Sequence, residues 1–456
     1  MKRSVCFYIL MLCTCSISFV SAEVERWVSS EGASVWMAPL EAIRTSSPSK
    51  KAAQIIIDPA KSFQSIVGVG ASLEHSTCWN LSQLGSKARS EVIRQIVDPI
   101  NGNGMNIMRI CIGASDFIGE PFYSYDDMPE GETDLELKHF SIEKDRAYVL
   151  PVLKEALAIN PELLFVASPW SPPAWMKDNG SLKHGRLLRK YYDVYAQYLV
   201  KFIEAYQAEG IPIYAITPQN EPDYPNKYYP TCYWSAEDQR DFIRDFLGPQ
   251  LRKADLTTPI WCWDHNWNLL EFPDTVLRDE KAAQYVYGTA FHLYEGKAEA
   301  QTTFKKKFPE KDIFFTEGST FKTDGAIEII KIFRNWSRTY QAWVLFLDEN
   351  QKPNNGPHDA TPTSIERLAD NSVRYNFDHF MYGHFSRFIQ RGAVRIDSSA
   401  GDNNYANLVV RNPDGSMVMV VANAGPQKSF RVRCGEMEFE DVIEMKTVAT
   451  YRWKFE

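Results

Sequence analysis

The sequence predicts an α/β chain: a closed barrel of eight strand–helix units followed by a smaller antiparallel β domain. Three observations carry this. From about residue 64 to 388, short apolar runs alternate with longer stretches of helical periodicity. There are eight such runs, and repeated strand–helix units imply a parallel sheet that eight strands can close. After Phe388 the pattern turns β-rich. No repeat of 20–50 residues and no low-complexity segment interrupts the reading.

The expected strands are Ser65–Gly70, Asn106–Ile112, Leu163–Pro169, Ile213–Thr217, Ile260–Asp264, Tyr287–His292, Ile313–Thr316 and Gln341–Leu347. The clearest helix spans Leu187 to Glu209, where Tyr191, Val194, Tyr195, Tyr198, Leu199, Phe202, Ile203 and Tyr206 form one apolar face and Gly210 supplies a stop. A second runs from Ala236 to Leu251, with Ser235 as N-cap and Glu237 and Asp238 at the positive helix start. Beyond the barrel, Ala406–Val410, Met417–Ala422, Phe430–Cys434 and Thr450–Lys454 read as strands, with Asn412-Pro-Asp-Gly415 as the turn between the first two. Val24–Lys51 is too short to fold alone and is expected to add a strand to this second domain. The division is therefore 1–22 as a leader, 23–60 as an N-terminal segment joining the β domain, 61–388 as the barrel and 389–456 as the β domain.

Met1-Lys2-Arg3, a short apolar run from Val5 to Val20, and Val20-Ser21-Ala22 read as a cleavable secretory leader, so the expected location is secreted or periplasmic. No later segment is long and apolar enough to span a bilayer. The chain has 456 residues, 44% hydrophobic and 13% aromatic, enough for a large core. Losing Lys2 and Arg3 with the leader takes the net charge from −8 to −10, which argues against a nucleic-acid partner. Three of the eight cysteines leave with the leader. The five that remain are odd in number and lack CxxC spacing, so one disulfide is conceivable and a disulfide framework is not. The histidines show no HxxxH or HExxH spacing, which speaks against zinc.

The chemistry concentrates in two runs. Ile213-Tyr-Ala-Ile-Thr-Pro-Gln-Asn220-Glu221-Pro222 is an apolar strand ending in an acidic residue. Asp312-Ile-Phe-Phe-Thr316-Glu317-Gly318 repeats the design 96 residues later. Barrel enzymes mount their catalytic groups at the C-terminal ends of strands. Two carboxyl groups about 5–5.5 Å apart are what cleavage of a glycosidic bond with retention requires. Asn220 is placed to hold a sugar 2-hydroxyl. Arg109, Asp116, Trp170, His292, Tyr294 and Trp343 (the last within the eighth strand) stand at or near other strand ends and are candidate sugar contacts.

These stretches resemble glycoside hydrolase family 30, the glucosylceramidase group. The resemblance lies in Asn106-Ile-Met-Arg109 with Asp116-Phe117, Ser168-Pro-Trp-Ser-Pro-Pro-Ala-Trp175-Met-Lys177, Thr217-Pro-Gln-Asn-Glu221-Pro, His292-Leu-Tyr294, Thr316-Glu317-Gly318 and Gly383-His-Phe-Ser-Arg-Phe388. It implies a (β/α)8 TIM barrel with an accessory antiparallel β-sandwich. It implies metal- and cofactor-free retaining hydrolysis of a β-glycoside, a glucosylceramide-like lipid or a β-glucan. Glu221 matches the acid/base, Glu317 the nucleophile, and the remaining seven candidates match the sugar pocket. The family's Gly-Phe-Gly-Gly-Ala opening reads Gly68-Val-Gly-Ala-Ser72 here, and its Trp-Asn pair reads Trp343-Val344. An endo-β-1,6-glucanase or β-xylosidase is the alternative within the class. A non-catalytic carbohydrate-binding barrel is the alternative outside it.

Overall fold

A computed structural model describes residues 23–454 except 33–34, 120, 225 and 357–362. The expected leader lies outside the described residues. Eight parallel strands form the barrel in chain order: Gly68–Ser72, Ile107–Ile112, Leu164–Pro169, Ile213–Ile216, Ile260–Asn266, Val286–His292, Asp312–Glu317 and Thr339–Ala342. The eighth pairs with the first, and an Ile313–Ser337 bridge joins the seventh to the segment entering the eighth, closing the cylinder. The floor of the barrel is plugged by Val67, Ile107, Val166, Ala215, Trp261, Ala290 and Phe314, with Trp261 stacked on Phe314 at 3.7 Å. Gly70 is required there: a Cβ would lie 1.7 Å from the Ile107 carbonyl oxygen.

The helix Tyr192–Ala208 buries its expected apolar face, and Gly210 follows in the left-handed region at φ 83°. Ser235 and Asp238 cap the helix Ala236–Phe242 reciprocally. That helix runs on through a π-helical turn, Ile243–Leu247, into Gly248–Lys253.

The two ends of the chain build the β-sandwich together. Its nine strands run in the order Met437–Ile443, Lys428–Cys434, Ile55–Ser65, Val394–Ser398, Tyr405–Arg411, Ser416–Asn423, Thr447–Lys454, Glu23–Ser30 and Val35–Arg44. A Ser46–Glu438 bridge brings the ends of this ribbon together. Val24, Ile57, Phe430, Phe439, Tyr451 and Trp453 lie in its core.

Two expectations are corrected. The Val24–Lys51 segment contributes two strands rather than one, Glu23–Ser30 and Val35–Arg44, and a third sandwich strand, Ile55–Ser65, follows it, so the first barrel strand starts at Gly68. The apolar run Gln341–Leu347 is two elements. The barrel strand stops at Ala342, a cis peptide joins Trp343 to Val344, and Phe346–Asp348 pairs with Ile365–Arg367 in a separate three-stranded sheet. Both elements are buried, so the run stays apolar across the break and hydrophobicity cannot register it.

The five cysteines are free and buried. Among the described residues no helix is long and apolar enough to cross a membrane.

Candidate active site

Glu221 and Glu317 meet at the C-terminal rim of the barrel. One carboxylate oxygen of each, with a ring nitrogen of His292, forms a set of atoms within 4.8 Å of one another. Both carboxyls line a cavity of about 600 Å³, together with Asp116, Tyr224, Tyr294 and Trp343 among others. Glu221 has φ 47°, and the fifth strand carries Trp263 and Asp264 at φ 75° and 66°. Left-handed backbone at consecutive bulky residues is rare and clusters where function over-determines it. Here it makes a bulge: pairing to the sixth strand skips from Trp263 to His265. The Glu221 amide donates to the Asp264 carbonyl at 3.0 Å, so the bulge also pins the turn that carries Glu221.

The bulge places the Asp264 carboxylate beneath the two glutamates. It accepts from Arg109 (2.8 Å), His292 Nε2 (3.1 Å), Ser168 (2.9 Å), Thr217 (2.7 Å) and Thr316 (2.6 Å). Arg109 spreads its fork further, to Asn220 Oδ1 at 2.7 Å and to Glu317 Oε2. The second oxygen of Glu317 accepts from the Tyr294 hydroxyl at 2.8 Å. His292 Nδ1 reaches Glu221 Oε1 at 3.1 Å. Trp170 stacks on Trp343 at 5.1 Å, and the Arg109 guanidinium lies over Trp170 at 4.9 Å. Lys177, buried in the loop after Trp170, donates to Ser171, Leu182 and Thr231 and ties that loop to the one after Glu221.

Burial opposes the charge on every one of these groups, and neighbours decide the outcome. For Asp264 burial is overcome by Arg109 and His292, which hold the carboxyl well below its ordinary range. Burial would lower His292, but Glu317, Asp264 and Glu221 push it up to about 9. Burial raises Glu221, yet His265, His292 and Arg109 outweigh it and keep the carboxyl low. For Glu317 burial prevails over His292 and Arg109, helped by the Glu221 charge, and its carboxyl is raised. Burial and the Glu317 charge drive Asp116 well up.

Glu221, His292 and Glu317 have the spacing of a metal site but not its chemistry. Both His292 nitrogens already face carboxylates, which makes the ring a cation, and Arg109 holds Glu317.

Of the seven expected sugar contacts, Asp116, Tyr294 and Trp343 are on the cavity wall, and Arg109, Trp170, Asn220 and His292 stand behind it. Arg109 pairs with Asp264 and Glu317. Trp343 lies one residue past the eighth strand, not within it. Sequence reasoning missed Asp264 and His265. Asp264 closed the expected strand Ile260–Asp264, and an acidic residue at a strand's C-terminal end, the feature that singled out Glu221 and Glu317 just past theirs, was the signal available for it.

The chain matches the glycosyl hydrolase family 30 TIM-barrel domain over residues 66–389 and the family's beta sandwich domain over 392–451. It is 34% identical over 387 residues to an endo-1,6-beta-D-glucanase of Neurospora crassa, covering 80% of each chain. To the lysosomal acid glucosylceramidase of Mus musculus it is 28% identical over 442 residues, covering 88% of this chain and 83% of that one. Among solved structures, an endo-beta1,6-glucanase superposes with a TM-score of 0.86 at 31% identity, over 95% of this chain and all of the other. With its barrel, its sandwich and its paired rim carboxylates, the chain belongs to glycoside hydrolase family 30.

Proposed function

We propose that this glycosidase cleaves β-glucosides with retention of configuration, Glu221 serving as acid/base and Glu317 as nucleophile. The observation that carries the reading is the approach of the two carboxylates to within 4.8 Å at the rim, a spacing that fits direct attack and leaves no room for an intervening water. Glu317 attacks the anomeric carbon as Glu221 protonates the glycosidic oxygen, the C–O bond breaks, and the alcohol departs. Glu221 then takes a proton from water, the hydroxide attacks the same carbon, and Glu317 is released. Arg109 and Tyr294, each on one oxygen of Glu317, fix the nucleophile in place. Asp116, driven towards its neutral form, is suited to donate a hydrogen bond to a sugar hydroxyl.

The relatives divide between glucan and glucosylceramide. The rim favours a saccharide leaving group: Asp223, Tyr224, Asn266, Asn268 and Glu295 present hydroxyl-binding groups where a ceramide would need apolar ones. The leader-like first 22 residues support work outside the cytoplasm.

Azide rescue tests the roles. Glu221→Ala and Glu317→Ala are each expected to lose about 10³-fold in kcat on a phenyl β-glucoside. With an activated substrate, azide should rescue Glu221→Ala to a β-glucosyl azide and Glu317→Ala to the α-anomer. Exchanged anomers reverse the roles, and undiminished activity in both variants ends the proposal. A panel of β-1,6-glucan, glucosylceramide and xylan oligomers ranks the leaving groups.

A further inference from the structure

Glu221 divides the cavity in two. Asp116 feels Glu317 more than any other charge, and the Trp343 amide donates to the Gly318 carbonyl at 3.2 Å, so the wall beside Glu317 faces the glucosyl unit under attack. The leaving group departs over Glu221, which protonates it. On that side the loop after the fourth strand contributes Asp223 and Tyr224, and the Tyr224 amide turns back to the Glu221 carbonyl at 3.1 Å. His265, Asn266 and Asn268 extend the wall, and Glu295, hydrogen-bonded to Asn268, reaches it from the loop after the sixth strand. Tyr224 stays 38% exposed, its ring edge-on to His265 at 6.3 Å, and offers a face on which a sugar ring can stack.

The charge of this cavity is one-sided. Asp116, Glu221, Asp223, Glu295 and Glu317 line it, and among the described residues no lysine or arginine does. Arg109 and His292 stand behind the wall with their charge committed, the first to Asp264 and Glu317 and the second to Asp264 and Glu221. His265 adds no cation. Asn266 Oδ1 accepts from the Tyr294 amide at 2.9 Å, which turns Nδ2 towards His265 Nε2 at 3.3 Å; that nitrogen accepts, and burial holds the imidazole low. The proton is then on Nδ1, a buried donor in this wall with no partner in the protein, as a group kept for a ligand hydroxyl would be. Lys227 and Lys297, in the flanking loops, are not on the wall, and Lys227 turns to the Tyr228 ring at 5.6 Å. Among the described residues Asp223 and Glu295 make no ion pair; the partner of Glu295 is a neutral amide. A cleft lined by one sign of charge focuses its potential on whatever enters.

We infer that Asp223 and Glu295 make the leaving-group side of the cavity selective by charge: it takes a neutral or cationic leaving sugar, a hexose or an amino sugar, and turns away one that bears a carboxylate, sulfate or phosphate. The inference rests on the reading of Glu221 as the acid, because that reading fixes which side the leaving group occupies. Tyr224 stacks on a sugar of any charge, so the selection falls to the two unpaired carboxylates. They act on the leaving group without taking part in the bond changes.

Three aryl β-glucosides test it: the 4-(aminomethyl)phenyl, 4-(hydroxymethyl)phenyl and 4-(carboxymethyl)phenyl compounds. One methylene insulates each substituent from the phenolic oxygen, so the leaving groups depart with similar ease and differ chiefly in charge. At low ionic strength and neutral pH, kcat/KM should be about 5-fold higher for the ammonium than for the alcohol and about 5-fold lower for the carboxylate. In the double variant Asp223→Asn/Glu295→Gln each gap should shrink to about 2-fold or less. Wild type in 1 M NaCl, where the screening length is about 3 Å, should show the same contraction, a readout that does not depend on the variant folding. Equal rates in wild type, a reversed order, or gaps that the double variant leaves in place overturn the inference. Gaps that persist in 1 M NaCl come from shape and overturn it as well. In each of these cases cleavage of the hydroxymethyl compound leaves the catalytic reading standing. A wild type that cleaves none of the three sinks that reading and the inference with it.

Discussion

Asp264 and Asp145 are both carboxylates sealed inside the barrel domain and both held low, but in different company. Against burial Asp145 has His75 first, its Nε2 at 3.8 Å, and then three phenols that donate to it, Tyr123 (2.5 Å), Tyr125 (2.6 Å) and Tyr206 (2.5 Å). The phenols come from the loop after the second strand and from the helix Tyr192–Ala208, so this anion joins two pieces of the outer layer. Asp264 is neutralised by Arg109 and His292, and the far ends of those two cations rest on Glu317 and Glu221. One buried charge fastens the scaffold. The other transmits its charge, through two cations, to the paired carboxylates at the rim. Burial and a depressed pKa alone do not tell these roles apart; what the partners touch next does.

The comparison can be broken by the same substitution at both places. Asp145→Asn leaves three phenolic hydroxyls facing a neutral amide in a dry interior, and a cost of about 3–5 kcal/mol is expected. Denaturant unfolding should show it, while kcat of the folded fraction stays within about 2-fold. Asp264→Asn should divide the other way. Arg109 keeps Glu317 as partner, so the stability loss is smaller, but His292 and Arg109 lose the anion that orients them. A fall in kcat of about 100-fold is expected. Equal losses of stability with unchanged turnover in both variants would erase the distinction.

Much of this architecture could be read in the sequence because it is written in periodicity. The eight strands alternate with amphipathic helices, and Glu221 and Glu317 each terminate an apolar run. What escaped has no periodic signature. The bulge at Trp263 and Asp264 puts two bulky residues at positive φ without a glycine to announce it, so His265 reads as another strand residue. The Asp145 cluster draws on residues from Tyr125, 20 positions away, to His75, 70 positions away, a convergence that only the tertiary fold creates. The split after Ala342 is hidden because both sides of the break are buried.

The smallest effect expected concerns the seam between the domains. His384, on the barrel's last helix Phe377–Ser386, hydrogen-bonds Thr450 at 2.8 Å and Ser29 at 2.9 Å, one from each terminus of the chain. Burial alone pushes this imidazole down to about 3, and the same holds for His379 one turn earlier. Between about pH 6.5 and 3 the unfolded chain therefore binds protons that the native seam refuses. Each of these histidines makes stability fall as the pH falls through that window, by at most about 1.4 kcal/mol per pH unit, while buried carboxyls that burial raises, Glu74 to about 7 and Asp378 to about 6 among them, take up protons in the native state and pull the other way. The Asp145 and Asp264 carboxyls add a loss of the same sign only further down, below their unfolded value of about 3.9. Thermal melts between pH 6.5 and 5 thus isolate the histidines from those two anions. His384→Gln, which can keep one of the two hydrogen bonds, should remove the His384 share, so that lowering the pH from 6.5 to 5 costs the variant less Tm than it costs the wild type. A slope that does not change would mean that the seam opens and lets His384 take up its proton before the barrel unfolds, and the two domains would then not melt as one unit.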